Sequence, residues 1–321
     1  MNTGRRMELS GMIKERAKEL GFDLCGIARA RKLEERRPVL TGWLTDGMNG
    51  DMAFLERDKE KRLDPTILFP GSRSVIVTGI NYYNEKKQRD DVPVLSRYSY
   101  GKDYHVVILE KLNKILELVT YIEPSSTGKA FVDSAPVMEK AWAAEAGLGW
   151  QGRNSLVINS RIGSFFFIGI LLLDIELEYD KTSSADCGEC RLCISLCPTG
   201  AINDNRTIDA RKCIAYHTIE NKGNIPADLS KRFRGRVFGC DICQEVCPWN
   251  KNARINTTAE FSISPILENL SADNWKSMDT EQFKRLFENT PAGRIKYQRM
   301  MRNIEIAITS LPWLFPGEKE S

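Results

Sequence analysis

The chain has no long apolar run and no excess of charge of one sign. Among its 321 residues the longest apolar run is 165–173, which is nine residues long and includes one glycine. A membrane-spanning helix needs about 20 apolar residues, so this run suits a buried strand instead. No apolar stretch follows the basic residues at the N-terminus, which argues against a secretory signal. The formal net charge of +3 says little about partners.

The chain also lacks low-complexity segments and internal repeats, apart from two similar cysteine runs. Its 42% apolar and 28% charged composition is typical of a globular protein, and its length allows two or three domains. Eight of its nine cysteines are clustered. In a chain without an export signal, such clusters favour metal ligands over disulfide bonds. We therefore expect a cytoplasmic protein that does not enter a membrane.

Hydrophobic periodicity predicts an α+β fold for the first half of the chain. The predicted helices are 7–20, 103–122 and 136–147. The predicted strands are 22–28, 74–80 and 129–132, and a β-hairpin is predicted from 155–158 and 165–172. The domain prediction is an α/β domain over 1–175, a cysteine module with a polar linker over 176–252, and a helical segment over 253–321.

Two cysteine runs carry the strongest signal in the sequence. They are Cys187-x2-Cys190-x2-Cys193-x3-Cys197-Pro198, and Cys213 followed by Cys240-x2-Cys243-x3-Cys247-Pro248. Three thiolates on one tight loop, with a fourth from the other run, are typical of two [4Fe–4S] clusters. The predicted ligands are Cys187, Cys190, Cys193 and Cys247 for the first cluster, and Cys197, Cys213, Cys240 and Cys243 for the second.

A pair of zinc sites with four thiolates each is the competing interpretation of these runs. Three cysteines within seven residues and a trailing Cys-Pro pair favour iron–sulfur clusters over zinc. Cys25 stands apart from both runs in an apolar, strand-like stretch. We interpret it as a small buried core residue.

Three further segments resemble the epoxyqueuosine reductase family. They are RYSYGKDYH at 97–105, VDSAP at 132–136 and EAGLGWQGRNSL at 145–156, and the resemblance extends over about residues 1–305. It implies an N-terminal nitroreductase-like cobalamin domain, a double [4Fe–4S] ferredoxin-like domain and a small C-terminal helical segment. It also implies a cobalamin cofactor and the reduction of epoxyqueuosine to queuosine at the wobble position of tRNA.

The resemblance implies partners as well. These are a tRNA with a GUN anticodon, of the Tyr, His, Asn and Asp acceptors, and an external low-potential electron donor such as flavodoxin or ferredoxin. We expect a monomer. Two other functions stay open: a small-molecule cobalamin-dependent reductase of dehalogenase type, and a ferredoxin-like electron-transfer protein. Basic patches and the lack of an export signal count against the first, and the large N-terminal domain counts against the second.

Asp133 is the general acid that the resemblance implies. It lies between a predicted strand and a predicted helix, where a side chain can point into a cleft. Cleavage of an epoxide leaves an oxyanion that must be protonated, and a carboxyl group keeps a proton at neutral pH only where burial raises its pKa. From the residues alone, the N-cap of the following helix is the favoured interpretation of Asp133.

A glycine-rich segment at 147–155 is predicted to contact the cofactor, since glycine lets the backbone approach a flat ligand closely. The alternative interpretation of this segment is the end of a helix followed by a hairpin loop. The predicted cobalamin contacts are Arg57, Arg97, Asp133, Trp150, Gln151, Gly152, Asn154 and Ser155. For the two arginines, structural ion pairs compete with this role. His105 is not expected to ligate cobalt, because Ile108 replaces the glycine of the D-x-H-x-x-G pattern.

Two basic patches and two aromatic residues are predicted to contact substrate and tRNA. They are Tyr104 and His105 in the substrate pocket, Lys231, Arg232 and Arg234 in one patch, and Arg294, Lys296 and Arg299 in the other. Cations that neutralise phosphates give salt-dependent affinity for RNA. Solvated helix faces are the alternative for either patch, and core packing is the alternative for Tyr104.

Overall fold

The computed structural model describes residues 2–251 and 253–311. Its strands are β1 (Leu24–Arg29), β2 (Ser74–Asn81), β3 (Val94–Leu95), β4 (Gly128–Phe131), β5 (Trp150–Gln151), β6 (Val157–Ile158), β7 (Phe166–Leu173) and β8 (Arg236–Phe238). Its helices are α1 (Thr3–Glu19), α2 (Arg37–Thr45), α3 (Phe54–Arg57), α4 (Lys59–Leu63), α5 (Pro65–Leu68), α6 (Tyr104–Ile122), α7 (Glu139–Glu145), α8 (Leu192–Ser195), α9 (Ile214–Ile219), α10 (Ala227–Ser230), α11 (Ile242–Glu245), α12 (Pro265–Glu268), α13 (Ala272–Lys276), α14 (Thr280–Phe287) and α15 (Tyr297–Thr309).

An antiparallel sheet of four strands, in the order β1-β2-β7-β4, forms the centre of the N-terminal part. All eight residues of β2 are buried. Successive side chains of a strand point to opposite faces, so a strand that is covered on both faces buries apolar residues at neighbouring positions. In β2, Ile76 and Ile80 pack on one face and Val75 and Val77 on the other.

Helices cover both faces of this sheet. Helices α1 and α6 pack on the face of Ile76, and α7 packs on the opposite face. Gly169 in β7 lets α6 lie close to the sheet, because an added Cβ would lie 2.7 Å from Cγ2 of Ile108. The mixed α+β class predicted from the sequence is confirmed, and the predicted helices and strands before residue 133 are present with shifts of a few residues at their ends.

Two local predictions are wrong. The helix predicted from Pro136 begins three residues later, at Glu139, and its N-cap is Met138 rather than Asp133. The predicted hairpin does not form: β6 pairs with β5, and β7 instead lies between β2 and β4. A single bridge between Asn159 and Gly163 is what connects the two segments locally. The sequence shows that a strand is apolar but not which strand it pairs with. Here β7 pairs with the distant strands β2 and β4.

A further core joins segments from distant parts of the sequence. Strand β3 pairs in parallel with β8, and the residues around both pack with helices α13, α14 and α15.

The linker predicted at 176–186 has no regular structure, but it packs on the N-terminal part. There the Asp180 carboxylate accepts hydrogen bonds from the backbone N–H of Ile27 at 2.8 Å and from Nζ of Lys14 at 2.6 Å. The three domain ranges stay predictions, and the second and third include residues 252 and 312–321, outside the described part.

Within residues 2–251 and 253–311, no helix combines the length and the apolar character that crossing a bilayer requires.

Candidate functional site: two thiol groups, a cavity and an acid–imidazole network

The eight clustered cysteines come together in two groups of four. The pKa of Cys193 is raised to about 11 by burial and by the nearby thiols of Cys187, Cys247 and Cys190. Burial likewise raises the pKa of Cys243 well above its ordinary value, with further contributions from Cys240, Cys213 and Cys197. These neighbours are the two sets of four that the spacing predicts, with Cys197 and Cys247 exchanged between the runs.

The chemistry of these groups suits clusters better than single ions. Four thiolates around one zinc ion at about 2.3 Å lie only about 3.8 Å apart, whereas a cubane holds its thiolates at its corners and spreads them further. In the part of the chain that the structure describes, no three His, Cys, Asp or Glu side chains are arranged to hold a single metal ion. Cys25 is different: burial raises the pKa of its thiol to about 12, as expected for a core residue.

A cavity of about 930 Å³ lies between the N-terminal part and the cysteine module. All four cysteines of the second group line it. The segment after α7 adds Trp150, Gln151, Asn154 and Ser155 to the wall. Val39, Leu40 and Trp43 of α2 add an apolar side. The cavity thus combines apolar walls with a few amide and hydroxyl groups, which is typical of cofactor sites.

Backbone strain marks the segment that forms this wall. Ser155 has a positive φ of 63°, a conformation that residues with a side chain rarely adopt. Gln151 donates to the Ser155 hydroxyl at 3.3 Å, which fixes both side chains at the rim. Gly152 is buried within the turn, where an added Cβ would lie 2.5 Å from Cδ1 of Ile158. Gly152 therefore shapes the turn and is not part of the cavity wall.

The two predicted cofactor arginines lie away from the cavity wall. The Arg57 side chain is 75% exposed and pairs with Asp58 at 2.8 Å. Arg97 is buried and donates to Glu245 at 2.8 Å, while its backbone N–H donates to Asp241 at 2.7 Å. Asp241 lies between two cysteines of the second group, so Arg97 connects the N-terminal part to that loop. This is the ion-pair alternative that the sequence left open.

Asp133 lies at the end of β4 with a positive φ of 53°, and its carboxylate is the centre of a polar network. The hydroxyl of Tyr104 donates to Oδ2 of Asp133 at 2.8 Å, and Nε2 of His105 lies 3.3 Å from the same oxygen. On the other side of the imidazole, Nδ1 is 2.6 Å from Oδ1 of Asp103. Nη1 of Arg294 lies 3.0 Å from Nε2 of His105.

The pKa shifts in this network favour a protonated imidazole beside a charged carboxylate, although Arg294 opposes the charge on the imidazole. Burial acts to raise the pKa of Asp133, but the hydrogen bonds from His105 and Tyr104 hold that pKa below its usual value. Burial acts to lower the pKa of His105, but Asp133 and Asp103 raise it above its usual value. The expectation of a raised pKa for Asp133 is therefore wrong for this state of the protein. The group whose pKa is raised is the imidazole of His105, the hydrogen-bond partner of Asp133.

The network is a neighbour of the cavity, although Asp133 itself is not on the cavity wall. Tyr98 lines the cavity, and its ring centroid lies 6.3 Å from that of Tyr104. Burial raises the pKa of Tyr98 strongly, and the negative charge of Asp133 raises it further. A group in the cavity and a group bound at Asp133 would thus be separated by little more than the Tyr98 ring.

Asp103 and Glu139 are members of the site that sequence reasoning missed. Asp103 is the N-cap of α6, where it accepts from the backbone N–H of His105. Its position two residues before a histidine was the available signal. Glu139 lies near Asp133 at the start of α7, and burial, followed by the charge of Asp133, raises its pKa to about 7. Nothing in the sequence pattern distinguishes it from an ordinary first-turn glutamate.

The predicted basic residues divide into engaged and exposed side chains. Nη1 of Arg299 donates to the carbonyl oxygen of Ile219 at 2.9 Å, which holds α15 against α9. Arg294 is exposed and contacts His105, as described above. The remaining cations are exposed, and none of them has a carboxylate within 4.0 Å among the described residues: Lys231, Arg232, Arg234 and Lys296.

Comparisons with known proteins agree with this site. The family model "4Fe-4S double cluster binding domain" matches residues 186–250, and the model "Epoxyqueuosine reductase QueG, DUF1730" matches residues 62–134. The epoxyqueuosine reductase of Cellulophaga algicola is 43% identical over 305 residues, which are 95% of this chain and 99% of that protein. The Escherichia coli enzyme is 38% identical over 95% of this chain and 82% of its own length.

Solved structures give the same result. The epoxyqueuosine reductase of Streptococcus thermophilus superposes with a TM-score of 0.85 at 26% identity, covering 94% of this chain and 81% of that one. An epoxyqueuosine reductase crystallised with an epoxyqueuosine-modified tRNA-Tyr stem loop superposes with a TM-score of 0.86 at 25% identity, covering 96% and 84%. On this identity and coverage, the chain is an oxidoreductase that belongs to the epoxyqueuosine reductase family.

Proposed function

We propose that the protein reduces epoxyqueuosine to queuosine at the wobble position of tRNA, with electrons passing through two [4Fe–4S] clusters to cobalamin and with Asp133 as the proton donor. The reaction takes up two electrons and two protons, converts the epoxide to an alkene and releases one water. The observation that carries the proposal is the shared cavity, whose walls combine the second cysteine group with the cofactor segment predicted at 150–155.

The two cysteine groups supply the ligand sets of the proposed clusters. The first set consists of Cys187, Cys190, Cys193 and Cys247, and the second of Cys197, Cys213, Cys240 and Cys243. Because each run lends one cysteine to the other set, the clusters lie close together, which suits one-electron steps. The second set lines the cavity, so electrons would leave the cluster module there.

The cavity fits cobalamin in the character of its walls. A corrin ring has flat apolar faces and a rim of amides, and the cavity offers apolar side chains from α2 together with Gln151, Asn154 and Ser155. Neither histidine of the chain lies on the described wall: His105 belongs to the Asp133 network, and Nε2 of His217 lies 2.7 Å from the carbonyl oxygen of Arg211. When bound, cobalamin would supply a low-potential reductant for the epoxide carbon.

Asp133 and His105 would deliver the proton together. The Asp133 side chain is 58% exposed, so it is accessible to substrate, while its partner imidazole is only 17% exposed. As the epoxide opens, Oδ2 of Asp133 donates a proton to the new oxyanion, and Nε2 of His105 supplies that proton to Oδ2. Tyr104 orients the carboxylate through its hydroxyl. Asp133 and Asp103 together hold the pKa of His105 above its usual value, which favours the protonated imidazole.

The tRNA proposal rests on the stem-loop complex of the related reductase and on the exposed cations of this chain. The wobble base lies in the anticodon loop, so exposing it costs little unpairing energy. Arg294 lies beside His105, where it would meet a backbone phosphate near the bound nucleoside. Lys231, Arg232 and Arg234 would neutralise phosphates further away. Action on tRNA also implies a cytoplasmic location, and we expect a monomer.

The test is anaerobic turnover with RNA that carries epoxyqueuosine. The reconstituted protein is incubated with this RNA and dithionite, with and without cobalamin, and the nucleosides are analysed by mass spectrometry. We expect queuosine only when cobalamin is present. Turnover without cobalamin would refute the cofactor assignment, and reduction of small organohalides in place of the RNA would favour the dehalogenase-type alternative.

A further inference from the structure

Three exposed apolar side chains surround the first cysteine group. Leu192 is 43% exposed, Leu196 is 37% exposed and Trp249 is 40% exposed. Leu192 precedes Cys193, and Trp249 follows Cys247 by two residues, so both are next to predicted ligands of the first cluster. Large apolar side chains on a surface lose the stability that burial would give them, so a group of them beside a redox centre calls for an explanation.

Two of these side chains share a helix face, and the third packs on a tryptophan next to the thiols. Leu192 and Leu196 are four residues apart across α8, with a backbone bond from the Leu196 N–H to the Leu192 carbonyl oxygen, so they share one helical face. The Trp249 ring packs edge-on against Trp150, with centroids 4.9 Å apart. Trp150 in turn packs against Cys247 and Cys187. We call the three side chains Leu192, Leu196 and Trp249 the apolar rim.

None of the three side chains of the apolar rim lines the cavity. None of the four cysteines of the first group lines the cavity, whereas all four of the second group do. The loop that carries the first group is exposed at most of its positions between 186 and 196. An electron that ends in the cavity therefore enters most directly at the first group, beside the apolar rim.

Two cations accompany the apolar rim. Nη2 of Arg153 donates to the carbonyl oxygen of Gly188 at 2.9 Å, on the cysteine loop itself. Lys251 is exposed two residues after Trp249. Neither has a carboxylate within 4.0 Å in the described part of the chain. Apolar contacts with a few surrounding charges are typical of small, short-lived electron-transfer interfaces, in which the charges orient the partner.

We propose that the apolar rim is the docking surface of a flavodoxin-type protein, a small acidic carrier that gives up one electron at a time. This inference rests on the proposed function, which needs two electrons from outside the chain. The exposed edge of a bound flavin is itself apolar, so it would pack on Leu192, Leu196 and Trp249. Acidic side chains around that flavin would face Arg153 and Lys251.

The experiment compares two electron sources. The test protein carries Leu192→Glu and Leu196→Glu, which place negative charge on the apolar rim. Reduction of the clusters is followed at their visible absorbance in a stopped-flow instrument, with flavodoxin hydroquinone or with dithionite. We expect the flavodoxin rate to fall by about tenfold or more, because buried apolar contacts dominate such interfaces. The dithionite rate should stay unchanged, since dithionite needs no docking surface.

Controls keep this result interpretable. Ile266→Glu changes an apolar side chain that is 60% exposed on α12, away from the cysteine loops, and should leave both rates unchanged. Iron content must equal that of the unaltered protein; if the Glu pair loses iron, the neutral pair Leu192→Gln and Leu196→Gln replaces it. An unchanged flavodoxin rate in the iron-replete variant overturns the proposal, as does an unaltered protein that accepts electrons from ferredoxin but not from flavodoxin. Dithionite-driven turnover tests the proposed function separately.

Discussion

Asp103→Asn is the sharpest test of how the proton is held. The Asp103 carboxylate lies 2.6 Å from Nδ1 of His105, and it also caps α6 by accepting from the backbone N–H of His105 at 3.1 Å. Asparagine is as good an N-cap as aspartate, so the substitution keeps the helix start. It removes the negative charge next to Nδ1 of His105 while the shape of the side chain stays nearly the same.

The expected effect follows from the energy of that contact. The two side chains are 17% and 24% exposed, so water screens the interaction only in part. A hydrogen bond to a charged group contributes about 1.5–3 kcal/mol. Since one pH unit corresponds to about 1.4 kcal/mol, losing the contact should move the titration of His105 by about one to two pH units.

The sign is fixed by which form is charged. In the unaltered protein the pKa of His105 is raised, so the imidazole keeps its proton to a higher pH than a free imidazole does and loses it as the pH rises through that pKa. Without the Asp103 charge the proton leaves at lower pH. The high-pH decline of the reduction rate should therefore begin earlier in Asp103→Asn, while the rate on the acidic plateau changes little.

The assay is single-turnover reduction of epoxyqueuosine RNA with dithionite, measured from pH 6 to pH 9 as assay conditions. The matched control is Asp279→Asn, which changes the N-cap of α14 in the C-terminal segment and should leave the profile in place. If Asp103→Asn keeps the high-pH midpoint of the unaltered protein, His105 is not the proton source. A uniform loss of rate at all pH values would instead indicate a structural role.

The remaining predictions concern the acid, the clusters, the buried ion pair and the RNA surface. Asp133→Asn should keep iron and cobalamin but lower turnover by about 10²–10⁴-fold, as measured by nucleoside mass spectrometry; wild-type rates would remove Asp133 from the mechanism. Cys190→Ala should lose the iron of one cluster, whereas Cys25→Ala should keep it; equal iron in both would refute the ligand assignment. Arg97→Met should destabilise the fold by about 3–5 kcal/mol in anaerobic denaturation, because the buried Asp241 loses its cation and Glu245 keeps only Arg236; an unchanged midpoint would contradict this. Three Gln substitutions should lower the salt dependence of anticodon stem-loop binding by about two to three ions, and an unchanged slope would exclude these cations: Lys231, Arg232 and Arg234.

Sequence reasoning succeeded where short-range spacing decides the structure. Helices α1 and α6 and strand β2 are present as predicted, since their periodicity extends over two or more turns or over a whole buried strand. The residues that fix these elements are neighbours in sequence. The two ligand sets stay predictions, and the mutual pKa effects of the thiols in each set support them.

It failed where the outcome depends on partners far away in the chain. Strand β7 follows β6 after only seven residues, yet it pairs with β2 and β4, about 90 and 40 residues earlier. Arginine is a common phosphate ligand, which led to the cofactor prediction for Arg97. The fold instead places the carboxylates of Glu245 and Asp241 next to it. The pKa of Asp133 is lowered and not raised because two donors from α6 reach it. None of these partners is visible from local pattern.

One short segment connects the second cysteine group, the cavity and the Asp133 network. The Ser96 hydroxyl and the Arg97 N–H both donate to Asp241, between two cysteines of the second group. Tyr98 follows on the cavity wall, and Tyr104 and His105 reach Asp133. The distance between the second cysteine group and Asp133 is therefore set by the ten residues 96–105, which hydrogen bonds hold at both ends. Reduction and protonation of the same epoxide require such a fixed separation, since a shift of about 1 Å between catalytic groups costs about 10²-fold in rate.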